Sequence, residues 1–394
     1  MSTHAVVAGV GMIPFVKPGT SGTYQEMGAE AARLALTDAN VPYDRIEQAY
    51  VGYVYGDSTA GQAALYRLGL TGIPIMNVNN NCSTGSTALY LARQAVVSGA
   101  AECVLALGFE QMVPGALGAV FNDRPSPLED FLTIANESFE GADQIPVAIR
   151  LFAGAGYEYQ QKYGTPNETF ARVRAKASRH AVHNEKAIFR KEVTPEEVLA
   201  SPNLFLNLTR LQACAPTCGA AAAIVCSEAF ARRHGLASNI RIVAQAMTTD
   251  RSSTFTEHSL MKAVGADMAK EAADKVFAEA GVGPDQVDVV ELHDCFTTNE
   301  VLTYEALSLC PPGGAERFVA DGDNTYGGRV VTNPSGGLLS KGHPLGATGL
   351  AQCAELVTQL RGGAGVRQVE GARTALQHNL GLGGACVVTM YQRA

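Results

Sequence analysis

Two distant stretches of this chain read alike. Residues 30–52 are EAARLALTDANVPYDRIEQAYVG and residues 271–293 are EAADKVFAEAGVGPDQVDVVELH, aligned without a gap. Each opens as an amphipathic helix, with apolar residues at helical spacing, and closes in a β-branched run suited to a strand. Val41-Pro42 and Gly281-Val282-Gly283-Pro284 break the chain between the two elements. A second pair follows in the same order: Cys82-x-x-Gly85-x-Thr87-x-Leu89 and His343-x-x-Gly346-x-Thr348-x-Leu350. Each heads an apolar helical run, Ala88 to Val97 and Leu350 to Leu360, and then a strand-like segment, Cys103 to Gly108 and Thr374 to Gln377. A weaker third echo pairs Gly219-Ala220 to Cys226 with Gly384-Ala385 to Met390. Short Ala/Gly-rich helices match by chance, but pairs that keep their order across both halves point to a true duplication. Alternating helices and strands then imply two similar α/β units. Their related turns would face each other across a pseudo-twofold axis, one presenting Cys82 and the other His343, each at a helix start.

The length of 394 residues suits two core-forming units, and 46% hydrophobic against 17% charged residues allows a large packed interior. The first half is expected to span 1–115 plus 208–238, and the second 239–394. Residues 116–207 have no counterpart in the second half and read as an inserted subdomain, with Pro125, Pro127, Pro146, Pro166, Pro195 and Pro202 as breakers. Within it, residues 170–191 carry seven Lys/Arg against one acidic residue. Such a run can be a solvated helix face or a phosphate-binding one.

A net charge of −8 argues against a nucleic-acid partner. No stretch approaches the roughly 18 uninterrupted apolar residues of a membrane span. The N-terminal Met-Ser-Thr-His lacks secretory features, and the C-terminal Tyr391-Gln-Arg-Ala394 is not a peroxisomal tripeptide. Nine scattered cysteines fit free thiols in a reducing cytoplasm. Cys214 and Cys218 lack a second ligand pair, so structural zinc is not expected. Gly9-Val10-Gly11 has Pro14 where a dinucleotide fingerprint needs glycine, and no phosphate-loop motif occurs.

Four segments could carry chemistry. Asn79-Asn80-Asn81-Cys82-Ser83-Thr84-Gly85-Ser86 sets a cysteine before a helix, where dipole and free N–H groups favour thiolate. A buried packing cysteine is the alternative there. Lys341-Gly342-His343-Pro344 places a histidine in a glycine-rich turn, either as a turn residue or, through its relation to Cys82, as half of a Cys–His pair. Glu291-Leu292-His293-Asp294-Cys295-Phe296 follows an apolar strand, Val287 to Val290, at the end where α/β ligand sites form. Metal binding is the rival reading, though adjacent residues cannot easily all ligate one ion. Gln377 to Gly384 reads as a glycine-rich turn between strands, structural or anion-binding.

Together, N-N-N-C-S-T-G-S at 79–86, H-D-C-F at 293–296, D-N-T-Y-G-G at 323–328, N-P-S-G-G-L-L-S-K-G-H-P-L-G-A-T-G at 333–349 and Q-H-N-L-G-L-G-G at 377–384 resemble the thiolase superfamily. Within it they are similar to the thiolase portion of sterol carrier protein X and its bacterial relatives, along essentially the whole chain. The fused lipid-carrier domain is expected to be absent. The resemblance implies a duplicated α/β fold in α-β-α-β-α layers with an inserted CoA-binding loop subdomain. It implies Cys82 as acyl-accepting nucleophile and His343 as its base and a donor to the thioester oxygen. The acid/base cysteine that most thiolases carry near the C-terminus is Asn379 here, and in this subfamily the role moves to Cys295. His293 stands where most have an asparagine that helps bind the thioester oxygen. Backbone N–H groups of Cys82 and Gly381 match the second oxyanion hole. Arg172, Arg174, Lys176, Arg179, Lys186 and Arg190 are the candidates for the CoA phosphates. At Cys218-Gly219, where relatives usually have Ser-Asp, a local packing effect is expected.

The implied reaction is cleavage of a 3-oxoacyl-CoA, with CoA as a substrate and no metal or redox cofactor. Degradation of branched fatty acids or sterol side chains is the first expectation. The alternatives are biosynthetic acetyl-CoA acetyltransfer, a carbon–carbon lyase, and a non-enzymatic acyl-CoA or sterol binder. A homodimer or dimer of dimers is expected.

Overall fold

The computed structural model describes residues 4–115, 118 and 121–394. The N-terminal Met-Ser-Thr and the expected first residues of the insertion, 116–117 and 119–120, lie outside the described residues. Ten strands form one continuous sheet: β1 (Ala5–Met12), β2 (Gln48–Gly52), β3 (Ile75–Val78), β4 (Cys103–Glu110), β5 (Gly219–Ser227), β6 (Ile240–Thr248), β7 (Val289–Glu291), β8 (Val331–Thr332), β9 (Thr374–Gly381) and β10 (Ala385–Arg393).

Their spatial order is β8-β7-β9-β10-β6-β1-β5-β4-β2-β3. Read outward from the centre, the first half runs β1-β5-β4-β2-β3 and the second β6-β10-β9-β7-β8. Each strand is matched by its counterpart five places on. The directions match too. β5 is antiparallel to β1 and β4, with β2 parallel to β4 and β3. β10 is antiparallel to β6 and β9, with β7 parallel to β9 and β8. The halves join through a short antiparallel contact, Ala5 to Ile242 and Val6 to Arg241. The two similar α/β units expected from the repeat are present.

Seven helices position the site: α1 (Tyr24–Ala39), α2 (Thr84–Val97), α3 (Val147–Tyr163), α4 (Asn167–Ala181), α5 (Ala266–Ala280), α6 (Thr297–Ala306) and α7 (Leu345–Leu360). In α1, a Thr23–Glu26 capping box satisfies N-terminal donors, and Asn40 in the left-handed region ends the helix. Gly281 ends α5 in the same way. α1 covers β1 and β5, and α5 covers β6 and β10. α2 and α7 pack on each other and on strands of both halves, forming the middle layer. Their shared core holds Leu89, Leu350 and Leu356, all fully buried. Burying each leucine contributes roughly 1.5–3 kcal/mol. Gly85, and Gly349 further along α7, explain how two helix starts can meet. A Cβ on Gly85 would lie 2.7 Å from the Gly346 carbonyl oxygen, and one on Gly349 would lie 2.3 Å from the Ser86 nitrogen.

α3 and α4 of the insertion share one hydrophobic core with the second half, in which Phe152, Tyr159, Phe170 and Val173 join Leu292, Tyr304 and Leu376. This placement corrects two expectations about the basic run. Arg174 and Lys176 are buried and do not face solvent. Arg174 donates to the Ser340 hydroxyl, and Lys176 pairs with Glu300 and donates to the Thr332 hydroxyl. Neither can reach a solvent-borne phosphate without breaking those contacts. Arg172, Arg179, Lys186 and Arg190 are exposed. A further correction concerns Gln377 to Gly384. Residues up to Gly381 are strand, paired in register with β10, and only Leu382 to Gly384 turn. Cross-strand pairing, such as Asn379 with Val387, outweighs the local glycine content.

Candidate active site

The asparagine run sets the turn that presents Cys82. Asn81 adopts φ 50°, a left-handed conformation that asparagine tolerates. Its N–H donates to the Asn79 side chain at 3.0 Å, and its amide donates to the Leu382 carbonyl at 2.9 Å. The Asn80 amide donates to the Thr87 hydroxyl at 3.1 Å. α2 then begins two residues after Cys82. Gly381 comes so close to this turn that a Cβ there would lie 2.2 Å from the Asn80 carbonyl oxygen. The N–H groups of Cys82 and Leu382 lie against the sulfur and lower its pKa.

Those donors do not win. Burial, and next the Glu110 carboxylate, push the Cys82 thiol up to about 12. The expectation of a thiolate held by the helix start is corrected, because desolvation outweighs the dipole and the N–H groups. Glu110, at the end of β4, is itself pushed up to about 7 by burial. It accepts N–H bonds from Val54, Tyr55 and Gly346 at 3.1, 2.9 and 3.0 Å, tying the first half to the start of α7. A protonated thiol needs a base at the moment of attack. Alkylation of Cys82 by iodoacetamide is therefore expected to accelerate continuously from neutral to strongly alkaline pH. A rate plateau starting near neutrality would reveal a thiolate–imidazolium pair instead.

His343 is buried just before α7. Its backbone N–H donates to the Thr217 hydroxyl at 2.6 Å, and its Nδ1 lies 2.7 Å from the Thr348 hydroxyl. Thr348 donates back to the Pro344 carbonyl at 3.0 Å, so the network assigns the ring proton to Nδ1. Nε2 is then a bare lone pair. It is buried and has no hydrogen-bond partner among the described residues. Burial pushes the imidazole down to about 3, which keeps it neutral. Ligand atoms of Cys82, His293 and His343 all lie within 4.8 Å of one another.

H-D-C-F divides its work residue by residue. β7 runs parallel to β9 with Glu291 opposite Gln377, which brings His293 beside Asn379. The Asn379 amide donates to the Cys82 carbonyl at 3.1 Å and contacts His293 Nδ1 at 2.9 Å. A carbonyl can only accept, so the amide NH2 must face both partners. His293 Nδ1 is then the acceptor, and Nε2–H is free to donate. Asp294 accepts N–H bonds from Leu338 and Leu339 at 2.7 and 3.3 Å, fixing the turn ahead of His343. Phe296 stacks on Phe152, with ring centroids 4.7 Å apart. Cys295 is buried, and its thiol is pushed well up by burial and by the nearby Cys214 and Cys82 thiols. A buried pair, Lys341 and Glu291 at 3.2 Å, links this strand end to the turn that carries His343.

Sequence reading singled out Cys82, His293, Cys295, His343 and Gly381 but passed over Thr217, Thr348 and Glu110, and it set Asn379 aside. Thr348 had a signal, since it repeats Thr87 in the duplicated motif. Cys218 has a packing role, its Sγ lying 3.2 Å from the Met112 nitrogen and 3.3 Å from its carbonyl oxygen. The Cys82, His293 and His343 trio could in principle hold a metal ion. However, binding at His293 Nε2 would drive its proton onto Nδ1, against the Asn379 amide. The arrangement suits proton transfer and oxygen binding better.

Family comparison agrees with this architecture. The profile "Thiolase, N-terminal domain" matches residues 5–203, and "Thiolase C-terminal domain-like" matches 250–391. The chain is similar to sterol carrier protein 2 of Oryctolagus cuniculus, 57% identical over 390 residues, covering 98% of this chain and 71% of that protein. It is 36% identical over 384 residues to the benzoylsuccinyl-CoA thiolase subunit BbsB of Thauera aromatica, covering 96% and 94%. Among solved structures, the Ltp2-ChsH2(DUF35) aldolase superposes with a TM-score of 0.84 over 99% of this chain and 98% of that one, at 22% identity. Among the described residues, no helix is long and apolar enough to cross a membrane.

Proposed function

The chain belongs to the thiolase family, and on that premise we propose that it cleaves a 3-oxoacyl-CoA by way of an acyl group carried on Cys82. The observation that carries the reading is the neutral, unpartnered His343 Nε2 grouped with Cys82. His343 takes the thiol proton as sulfur attacks the C3 carbonyl. Backbone N–H groups at Cys82 and Gly381 receive the oxyanion, and the C2–C3 bond breaks. The thioester oxygen of the leaving enolate is held by His293 Nε2–H and by His343, now protonated. Cys295 protonates C2. CoA then enters and gives its thiol proton to Cys295, its sulfur takes the acyl group, and the departing Cys82 thiolate recovers the proton held by His343.

A bulky substrate from branched fatty acids or sterol side chains is the first choice, with acetyl-CoA acetyltransfer second. Likeness to an aldolase at 22% identity concerns the fold alone. A lyase or a binder would have no use for a thiol paired with a base. The exposed Arg172, Arg179, Lys186 and Arg190 are the remaining candidates for the CoA phosphates. A homodimer has a natural face at β3, a sheet edge that the exposed Tyr66 and Leu70 precede in the chain by a few residues. The nine free cysteines favour a reducing compartment such as the cytoplasm.

The test is incubation with a 3-oxoacyl-CoA or acetyl-CoA without free CoA. Peptide mass mapping should find one acyl group per chain, on Cys82. An acyl group on another cysteine, or an equal yield from Cys82→Ala, would overturn the assignment.

A further inference from the structure

Cys214 has no part in the chemistry above, yet it faces Cys295. The segment Ala213 to Thr217 runs over the site. Ala213 bridges Phe296 in antiparallel fashion, Pro216 bridges His343, and Thr217 accepts from the His343 N–H. In antiparallel register, a bridge between Ala213 and Phe296 sets Cys214 directly opposite Cys295. The Cys214 N–H donates to the Cys295 carbonyl at 2.9 Å, one of the two bonds that a hydrogen-bonded cross-strand pair exchanges. Such pairs hold their Cα atoms about 5.5 Å apart with side chains on one face. That separation falls inside the roughly 4.4–6.8 Å range of disulfides. Cβ atoms of such pairs lie about 4.5–5.5 Å apart, so closure needs a small local approach of the two segments. Both residues are free thiols here, Cys214 half-buried and Cys295 buried.

We propose that Cys214 and Cys295 form a reversible disulfide, with Cys214 the entry point for a low-molecular-weight disulfide. The bond would remove the proton carrier, a consequence that rests on the role assigned to Cys295. The chemistry balances as two exchanges. Cys214 loses its proton and attacks glutathione disulfide, giving a mixed disulfide and one glutathione. Cys295 loses its proton and attacks the Cys214 sulfur, releasing a second glutathione. Two protein thiols are oxidised and one glutathione disulfide is reduced. Burial and neighbouring thiols hold both groups protonated, so closure is slow and favoured by alkaline incubation.

The experiment incubates the full chain with glutathione disulfide at alkaline pH, followed by peptide mapping without reduction and assay of deuterium exchange at C2 of acetyl-CoA. A peptide pair joining Cys214 to Cys295, lighter by two hydrogens, is the expected product. C2 exchange should fall by roughly 100-fold or more, the scale for losing a positioned acid/base, and return with dithiothreitol. Cys214→Ala should keep its basal exchange and resist the oxidant. Linkage through Cys82, or equal sensitivity of Cys214→Ala, overturns the proposal. A mapped Cys214–Cys295 bond that leaves exchange intact would uphold the modification and overturn the proton-carrier role of Cys295.

Discussion

Lys176→Met is expected to destabilise the protein by about 3–5 kcal/mol, the cost of breaking a buried ion pair from one side. Lys176 is 2% exposed and Glu300 0%. The ammonium lies among the Glu300 carboxylate, the Thr332 hydroxyl at 2.5 Å and the Tyr304 hydroxyl at 3.3 Å. Tyr304 also donates to Glu300 at 2.5 Å and accepts from the Asn324 amide at 2.9 Å. Removing the ammonium takes away the ion-pair partner of Glu300, one of whose oxygens already lacks a hydrogen-bond partner among the described residues. For a chain of this length the loss corresponds to about 4–6 °C in melting temperature. The double change Lys176→Met with Glu300→Gln should recover most of it, because no charge then stays buried. Calorimetry on the three variants decides the matter. If Lys176→Met instead keeps its melting temperature and raises only the KM for CoA, the lysine serves a ligand after all, and the internal reading is wrong.

Lys176 also shows where sequence reading reached its limit. Charge density along 170–191 is visible in one dimension, but the face each charge takes is not. α4 points its residues inward at Arg174 and Lys176 because the second half offers Ser340 and Glu300 to meet them. Those partners lie more than a hundred residues away, and no local pattern announces them. The fold was more legible. The repeat of 30–52 in 271–293 becomes the matched pairs α1–β2 and α5–β7, and the repeat around Cys82 and His343 becomes α2 and α7. Periodicity is local, and duplication adds the long-range fact that both halves obey one topology. Protonation lay beyond either signal. A helix start lowers a thiol pKa when other factors are equal, but the burial around Cys82 and the charge of Glu110 are tertiary facts. The tautomer of His343 depends likewise on Thr348, five residues on, which a helix turn brings back to Nδ1.

Cys295→Ala and Asn379→Ala should fail in different ways, and the difference tests which residue carries the C2 proton. Cys295→Ala leaves the Cys82, His343 and Thr348 arrangement untouched. Cys82 should still alkylate, and still take an acyl group from a reactive thioester, because His343 Nε2 can receive the proton. Exchange of deuterium into C2 of acetyl-CoA should disappear, and thiolysis should fall by about 100-fold or more, since no positioned group remains to move that proton. Asn379 has a different task. Its amide joins the Cys82 carbonyl to His293 Nδ1 and so directs the His293 Nε2–H toward the thioester oxygen. Asn379→Ala frees the His293 tautomer and removes a hydrogen bond from the Cys82 turn. Its loss should be smaller, roughly 10-fold, on the scale of a net hydrogen bond of about 1–1.5 kcal/mol. That loss should fall on exchange and thiolysis alike while exchange stays measurable. The order of the two effects is decisive. Exchange at the wild-type rate in Cys295→Ala, or its complete loss in Asn379→Ala alone, would move the proton carrier away from H-D-C-F and back to the C-terminal strand.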